Sequence, residues 1–120
     1  MKQILIIPHS LPCINDMVAK HRFIYGKLKK DTESSIEYEI RRQRLKPMPY
    51  AYLKFIWFEK DKRRNPDNVS GGGPKFVLDS LVRCGILKND GWSEVLGIQH
   101  GFVVGDEASV HIELTDKPEA

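Results

Sequence analysis

The stretch Arg63–Asp90, RRNPDNVSGGGPKFVLDSLVRCGILKND, constrains this chain more than any other. Pro66 fixes its own φ and biases Asn65 towards extended backbone, while Asp67 and Asn68 favour a turn because their short side chains bond nearby backbone groups. Gly71, Gly72 and Gly73 read as a permissive connector, and Pro74 suits the first position of a helix. Val77, Leu78, Leu81 and Val82 recur at three- and four-residue spacing, which predicts a short amphipathic helix with one buried stripe. Lys75 and Asp79 are neighbours on a face of that helix. Gly85 is placed to cap its C-terminus, and Asn89, Asp90 and Gly91 form a second turn.

Two turns that present carboxylates near a lysine suit a hard divalent cation. Magnesium takes oxygen ligands, needs only one or two protein carboxylates, and completes its shell with water and substrate phosphate. Such an ion activates water or offsets the charge that develops when a phosphodiester is displaced. The same residues also have conformational readings. Asp67 and Asp90 are common turn residues, and Lys75 with Asp79 is equally an ordinary helix-surface ion pair.

The segment resembles the signature of the RusA family of Holliday-junction resolvases. The matching residues are Arg63, Arg64, Asn65, Pro66, Asp67 and Asn68, then Lys75, then Leu78, Asp79, Ser80 and Leu81, then Gly85, Ile86, Leu87, Asn89 and Asp90. Ile4 to Ile7, Leu11, Pro12 and Asn15 fit the family's N-terminal strand and proline segment more loosely. The resemblance implies a magnesium-dependent endodeoxyribonuclease, with Mn²⁺ as a second usable ion, that resolves four-way DNA junctions by paired symmetric nicks as a homodimer. By position, Asp67 and Asp90 resemble the metal-binding acids and Lys75 the catalytic lysine, while Lys62, Arg63, Arg64 and Lys75 would meet DNA. Asn65 stands where many members carry Asp, and its amide offers only a neutral carbonyl oxygen. Asp79 is then a further candidate ligand. Val69 to Pro74 is a longer connector than in the shortest members. A catalytically impaired module that binds branched DNA is the alternative that Asn65 suggests.

The rest of the chain reads as scaffold. Its 120 residues suffice for a single domain, residues 1–120, with one core and a tail expected to fray from about residue 115. The apolar run Ile4–Ile7 is too short for a signal peptide and no segment is long enough to span a membrane, which together with two isolated cysteines, Cys13 and Cys84, points to reduced thiols in a cytoplasm. The net charge of +3 is modest, but basic residues cluster at Lys27–Lys30, at Arg41–Lys46 and at Lys60–Arg64, the last leading straight into the acidic turn. Local clustering matters for a phosphate track because counterion release is local, although a basic cluster is also simply a solvated face.

The expected fold is α+β, a mixed, mainly antiparallel sheet flanked by helices. Lys2–Ile7 reads as a well-covered strand. Helical character runs from a cap at Asn15 or Asp16 to about Leu45, and Thr32, Ser34 and Ser35 suggest a break into two helices. Tyr50–Lys60 reads as a strand whose aromatic residues belong to the core, with base stacking as the other reading. Val95–Val104 and Ser109–Leu114 are expected to form a hairpin through Gly105, Asp106 and Glu107. Trp92 reads as an anchor for its turn, with a wedge into DNA as the alternative. The four histidines show no ligand spacing, and the triple glycine lacks the Gly-Lys-Ser/Thr ending of a phosphate-binding P-loop.

Overall fold

The computed structural model describes residues 1–12 and 22–118. The expected helix start at Asn15 or Asp16, with Cys13, Ile14, Met17, Val18 and His21, lies outside them. Six elements follow in order: β1 (Lys2–Ile7), α1 (Arg22–Arg42), β2 (Ala51–Glu59), α2 (Pro66–Arg83), β3 (Val95–Val104) and β4 (Ser109–Thr115). The sheet order is β1-β4-β2-β3, with β4 antiparallel to both β1 and β2, and β3 parallel to β2. This is the α+β architecture with a mixed, mainly antiparallel sheet that the pattern implied. The helices cover one face of the sheet.

Alternation decides which strands are central. In β2 the side chains Ala51, Leu53, Phe55 and Trp57 are buried, and in β4 Val110, Ile112 and Leu114 are buried, so these two strands sit beneath the helices. In β1 only Leu5 and Ile7 face the core, while Ile4 and Ile6 stand about half exposed on the open face. The N-terminal strand is therefore an edge, paired with β4 alone, rather than a well-covered one. The hairpin expected between β3 and β4 is also replaced. Helix α2 returns the chain for a parallel strand beside β2, which puts β3 on the outer edge. The link after Gly105, whose N–H bonds the Glu59 carbonyl, then passes the end of β2 so that the fully apolar inner face of β4 reaches the core.

Helix α1 is continuous through Asp31–Ser35, where a break was expected. Tertiary contacts outweigh the capping preference there. Ile36 and Ile40 are buried in the core, Glu33 and Glu37 are buried against Arg83, and the Ser35 hydroxyl bonds Nε2 of His9 at 2.7 Å. At the chain ends, Asp116 bonds the Met1 ammonium at 2.8 Å, so the tail is tied down where fraying was expected to begin.

Helix α2 is longer than the sequence pattern suggested. Pro66, rather than Pro74, occupies its first turn, and Asn65 is the extended residue before it, with φ −70° and ψ 150°. The triple glycine lies inside the helix, not in a connector. Gly72 and Gly73 are buried, and a Cβ on Gly73 would lie 2.6 Å from the Trp57 indole and 3.2 Å from Leu11 Cδ1. The glycines let α2 lie directly on the sheet over Trp57. At the other end, Gly85 at φ 76° donates to the Val82 carbonyl and Ile86 donates to that of Leu81. That is a Schellman cap, as Gly85 implied.

Trp57 is held from three sides. Its ring stacks on Phe55 with centroids 5.5 Å apart, its edge meets Gly73, and its Nε1–H donates to Nδ1 of His100 at 2.9 Å. Core use of the β2 aromatics is thus shown for Phe55 and Trp57. Trp92, by contrast, is 96% exposed and anchors nothing, because Gly91 turns the chain before it and the buried Ile86 and Leu87 already fix the loop.

Gly73→Ala is expected to cost about 1–3 kcal/mol by overpacking, read as a fall in the urea midpoint at constant slope. The cost should shrink in a Trp57→Phe background, where the colliding ring is smaller. Burial pushes the His100 imidazole below its ordinary range. A depressed histidine contributes stability that is fully present above its unfolded value, about 6.5, and is lost as pH falls through the folded value. The melting temperature should therefore decline as pH falls below about 6.5, and His100→Gln should flatten that slope.

Candidate functional site

The site is built by α2 and the loop that follows it. Docking over Trp57 turns the opposite side of α2 to solvent, and Lys75 and Asp79 lie on that side one turn apart. The loop is drawn back along the helix by the buried Ile86 and Leu87 and by the Met48 N–H bond to the Ile86 carbonyl. Asn89 then folds its side chain onto the Asp90 N–H at 2.8 Å, which orients Asp90.

The result is a three-residue charge cluster. The Lys75 ammonium lies 3.1 Å from Asp79 Oδ1 and 3.1 Å from Asp90 Oδ2. The Asp79 hydrogen bond, and after it that of Asp90, pushes the Lys75 pKa above its ordinary range. Lys75 is therefore a fixed cation and a proton donor, not a base. Lys75, Asp79, Asp90, Val82 and Arg83 line a shallow open depression of about 420 Å³.

Arg83 was not singled out by the sequence, although it continues the four-residue spacing of Lys75 and Asp79. Its guanidinium bonds Glu33 Oε1 at 2.9 Å and Glu37 Oε2 at 3.5 Å, and the Glu33 bond holds it firmly charged. Glu33 is 2% exposed and its Oε2 has no partner. The side of the depression nearest α1 is thus an ionic seam between the two helices.

The remaining candidates lie elsewhere. Asp67 is exposed in the first turn of α2, where a carboxylate favours the helix dipole. Eight residues of helix, roughly 12 Å of rise, separate it from Lys75. Asn65 is at the helix cap, exposed, and makes no capping bond through its side chain. Lys62 and Arg63 are exposed, with Arg63 near Asp61 at 3.4 Å. Arg64 is turned inward, bonded to Glu59 at 2.9 Å and to the Leu11 carbonyl at 3.4 Å, and so braces the loop rather than facing solvent. His9 lines a separate cleft with Ser35 and Arg64. Burial pushes the Cys84 thiol up, which leaves it protonated and a weak nucleophile.

Among the described residues, no three His, Cys, Asp or Glu side chains are grouped closely enough to hold a metal. The donor set that does converge, Asp79 and Asp90 around one cation, fits magnesium's need for one or two carboxylates with water and phosphate completing the shell. A divalent ion shared by these two carboxylates would have to displace the Lys75 ammonium that now contacts both. Comparison of the sequence with protein-family models and with curated proteins gives no match. Among the described residues, no helix is long and apolar enough to cross a membrane.

Lys75→Met should reveal this competition. Its effect on stability should stay below about 1 kcal/mol, because the pair is largely solvated. Its affinity for Mn²⁺, measured by calorimetry without DNA, should rise several-fold, and Asp90→Asn added to it should abolish the gain.

Proposed function

We propose that this chain is a magnesium-dependent endodeoxyribonuclease that acts on branched DNA, four-way junctions foremost, and works as a homodimer. The observation that carries the reading is the Lys75 ammonium held at 3.1 Å by both Asp79 and Asp90 in an open depression. The resemblance of Arg63–Asp90 to the RusA signature supports the same chemistry. Exposed Lys62 and Arg63, leading into the N-terminus of α2, supply positive charge that would track phosphates towards the cluster.

In this reading Asp79 and Asp90 would hold a divalent ion, which would supply an activated water and offset charge on the phosphate. Lys75, released from the carboxylates, would be free to turn to the scissile phosphate. An ordinary lysine is cationic at neutral pH, so it would neutralise a non-bridging oxygen or give its proton to the departing one. Arg83 is held by Glu33 and Glu37 and stiffens the wall of the depression. Asp67 and Asn65, at the helix start and two or more turns from Lys75, are not assigned to this ion. A binding module without cleavage is the second reading, favoured by the presence of only two carboxylates at the cluster and by the amide at Asn65.

The test is nicking of a labelled four-way junction against a linear duplex with the same arms, in magnesium, in manganese and in chelator. Metal-dependent paired cuts confined to the junction are expected. Asp90→Asn and Asp79→Asn should each lower the rate at least about 100-fold while junction affinity is kept, with Asp67→Asn milder. Tight junction binding without cuts in either metal would replace the enzyme with the binding module.

A further inference from the structure

The two edges of the sheet are guarded very differently. Strand β1 spans six residues and carries Lys2, whose ammonium pairs with Glu113 at 2.7 Å. Lysine on an edge and a short run are the usual defences against strand addition. Strand β3 has neither. Its ten residues, VLGIQHGFVV, contain no Asp, Glu, Lys or Arg, and Leu96, Ile98, Phe102, Val103 and Val104 are 43–53% exposed. The parallel ladder to β2 uses one side of β3, and among the described residues no strand pairs with its other backbone edge.

The arrangement of side chains selects an occupant. Register with β2 places Ile98, His100, Phe102 and Val104 on the helix-side face, beside Leu53, Phe55 and Trp57, and Gly97, Gln99, Gly101 and Val103 on the open face, with an irregularity at Leu96. Opposed residues of an antiparallel pair share a face. A two-fold axis at His100, perpendicular to the sheet, therefore sets Ile98 against Phe102 of the copy on one face. On the other it sets Gly97 against Val103 and Gln99 against Gly101. On the helix-side face Ile98 meets Phe102, apolar against apolar, and on the open face Gly97 and Gly101 each face a larger residue. With His100 in its neutral form, accepting from Trp57, no charge is buried. Shifting the axis to Gln99 would instead oppose Gly97 to Gly101 and leave a groove.

We infer that β3 pairs antiparallel with β3 of a second copy of this chain, about a two-fold axis at His100, joining two four-stranded sheets into one of eight. The inference names the surface of the dimer in the proposed function but stands on β3 alone, and it is tested without DNA or metal.

The full chain, 13.8 kDa as a monomer, should sediment at twice that mass at tens of micromolar. Ile98→Lys should halve the sedimenting mass while circular dichroism keeps the native spectrum. In a background with Cys13→Ser and Cys84→Ser, Ile98→Cys combined with Phe102→Cys should give a covalent dimer on oxidation, whereas Ile98→Cys alone should not. A monomeric wild type overturns the inference and leaves the edge to a strand of another protein. A dimer that resists Ile98→Lys, or that fails to cross-link in the double-cysteine variant, overturns it equally, by placing the interface elsewhere. A monomeric wild type would also remove the homodimer from the proposed function, whereas metal-dependent cutting by the Lys75 cluster is read separately on the labelled junction.

Discussion

The contact of Gly73 with the Trp57 indole is the constraint on which the rest of the structure depends. Side chains normally hold a helix away from a sheet, but here Gly73 lets the backbone of α2 approach the aromatic ring directly. That approach fixes the height of α2, and with it which residues face solvent. It also explains how a helix tolerates three glycines and an internal proline, each unfavourable in isolation. Burial of Val69, Phe76, Val77 and Leu81 on both sides of the glycine run supplies the stabilisation that propensity lacks.

The same contact couples the core to the surface cluster. Trp57 is fixed by Phe55 and His100 beneath, and by α2 above, so Lys75 and Asp79 project from a rigid platform. Asp90 reaches them because the Schellman cap at Gly85 reverses the chain and buries Ile86 and Leu87. The cluster therefore has an inner wall set by packing and an outer face open to solvent. Its electrostatics are those of a cation already captured: two carboxylates balanced by an ammonium that an ion of higher charge could displace.

Much of this was legible in the sequence, and the failures share a cause. The stripe of Val77, Leu78 and Leu81, the cap at Gly85 and the turn at Asn89–Asp90 are local patterns, and the structure has them. The glycine run was misread because its helicity is imposed by a residue sixteen positions earlier, Trp57, and nothing local announces that. The β3–β4 hairpin was misread for the same reason, since adjacency in sequence gave way to the need of Val110, Ile112 and Leu114 for a central place in the core. At the site, the Lys75–Asp79 pair follows from helical spacing alone. The separation of Asp67 from Asp90 does not, because it depends on the helix beginning at Pro66, which places two turns between Asp67 and Lys75. Arg83 could have been found by extending the four-residue spacing one step further, whereas Glu33 and Glu37, its partners on α1, required the packing of two helices.

The central claim is that the divalent ion binds between Asp79 and Asp90, displacing Lys75. Carboxyl carbon shifts followed by NMR during a Mg²⁺ titration of the DNA-free protein address it directly. The account expects the Asp79 and Asp90 carboxyl signals to move together along one saturable curve, with the Lys75 side-chain signals shifting in step and Asp67 hardly responding. Saturable shifts at Asp67 that leave Asp79, Asp90 and Lys75 unmoved would contradict it and put the ion at the start of the helix.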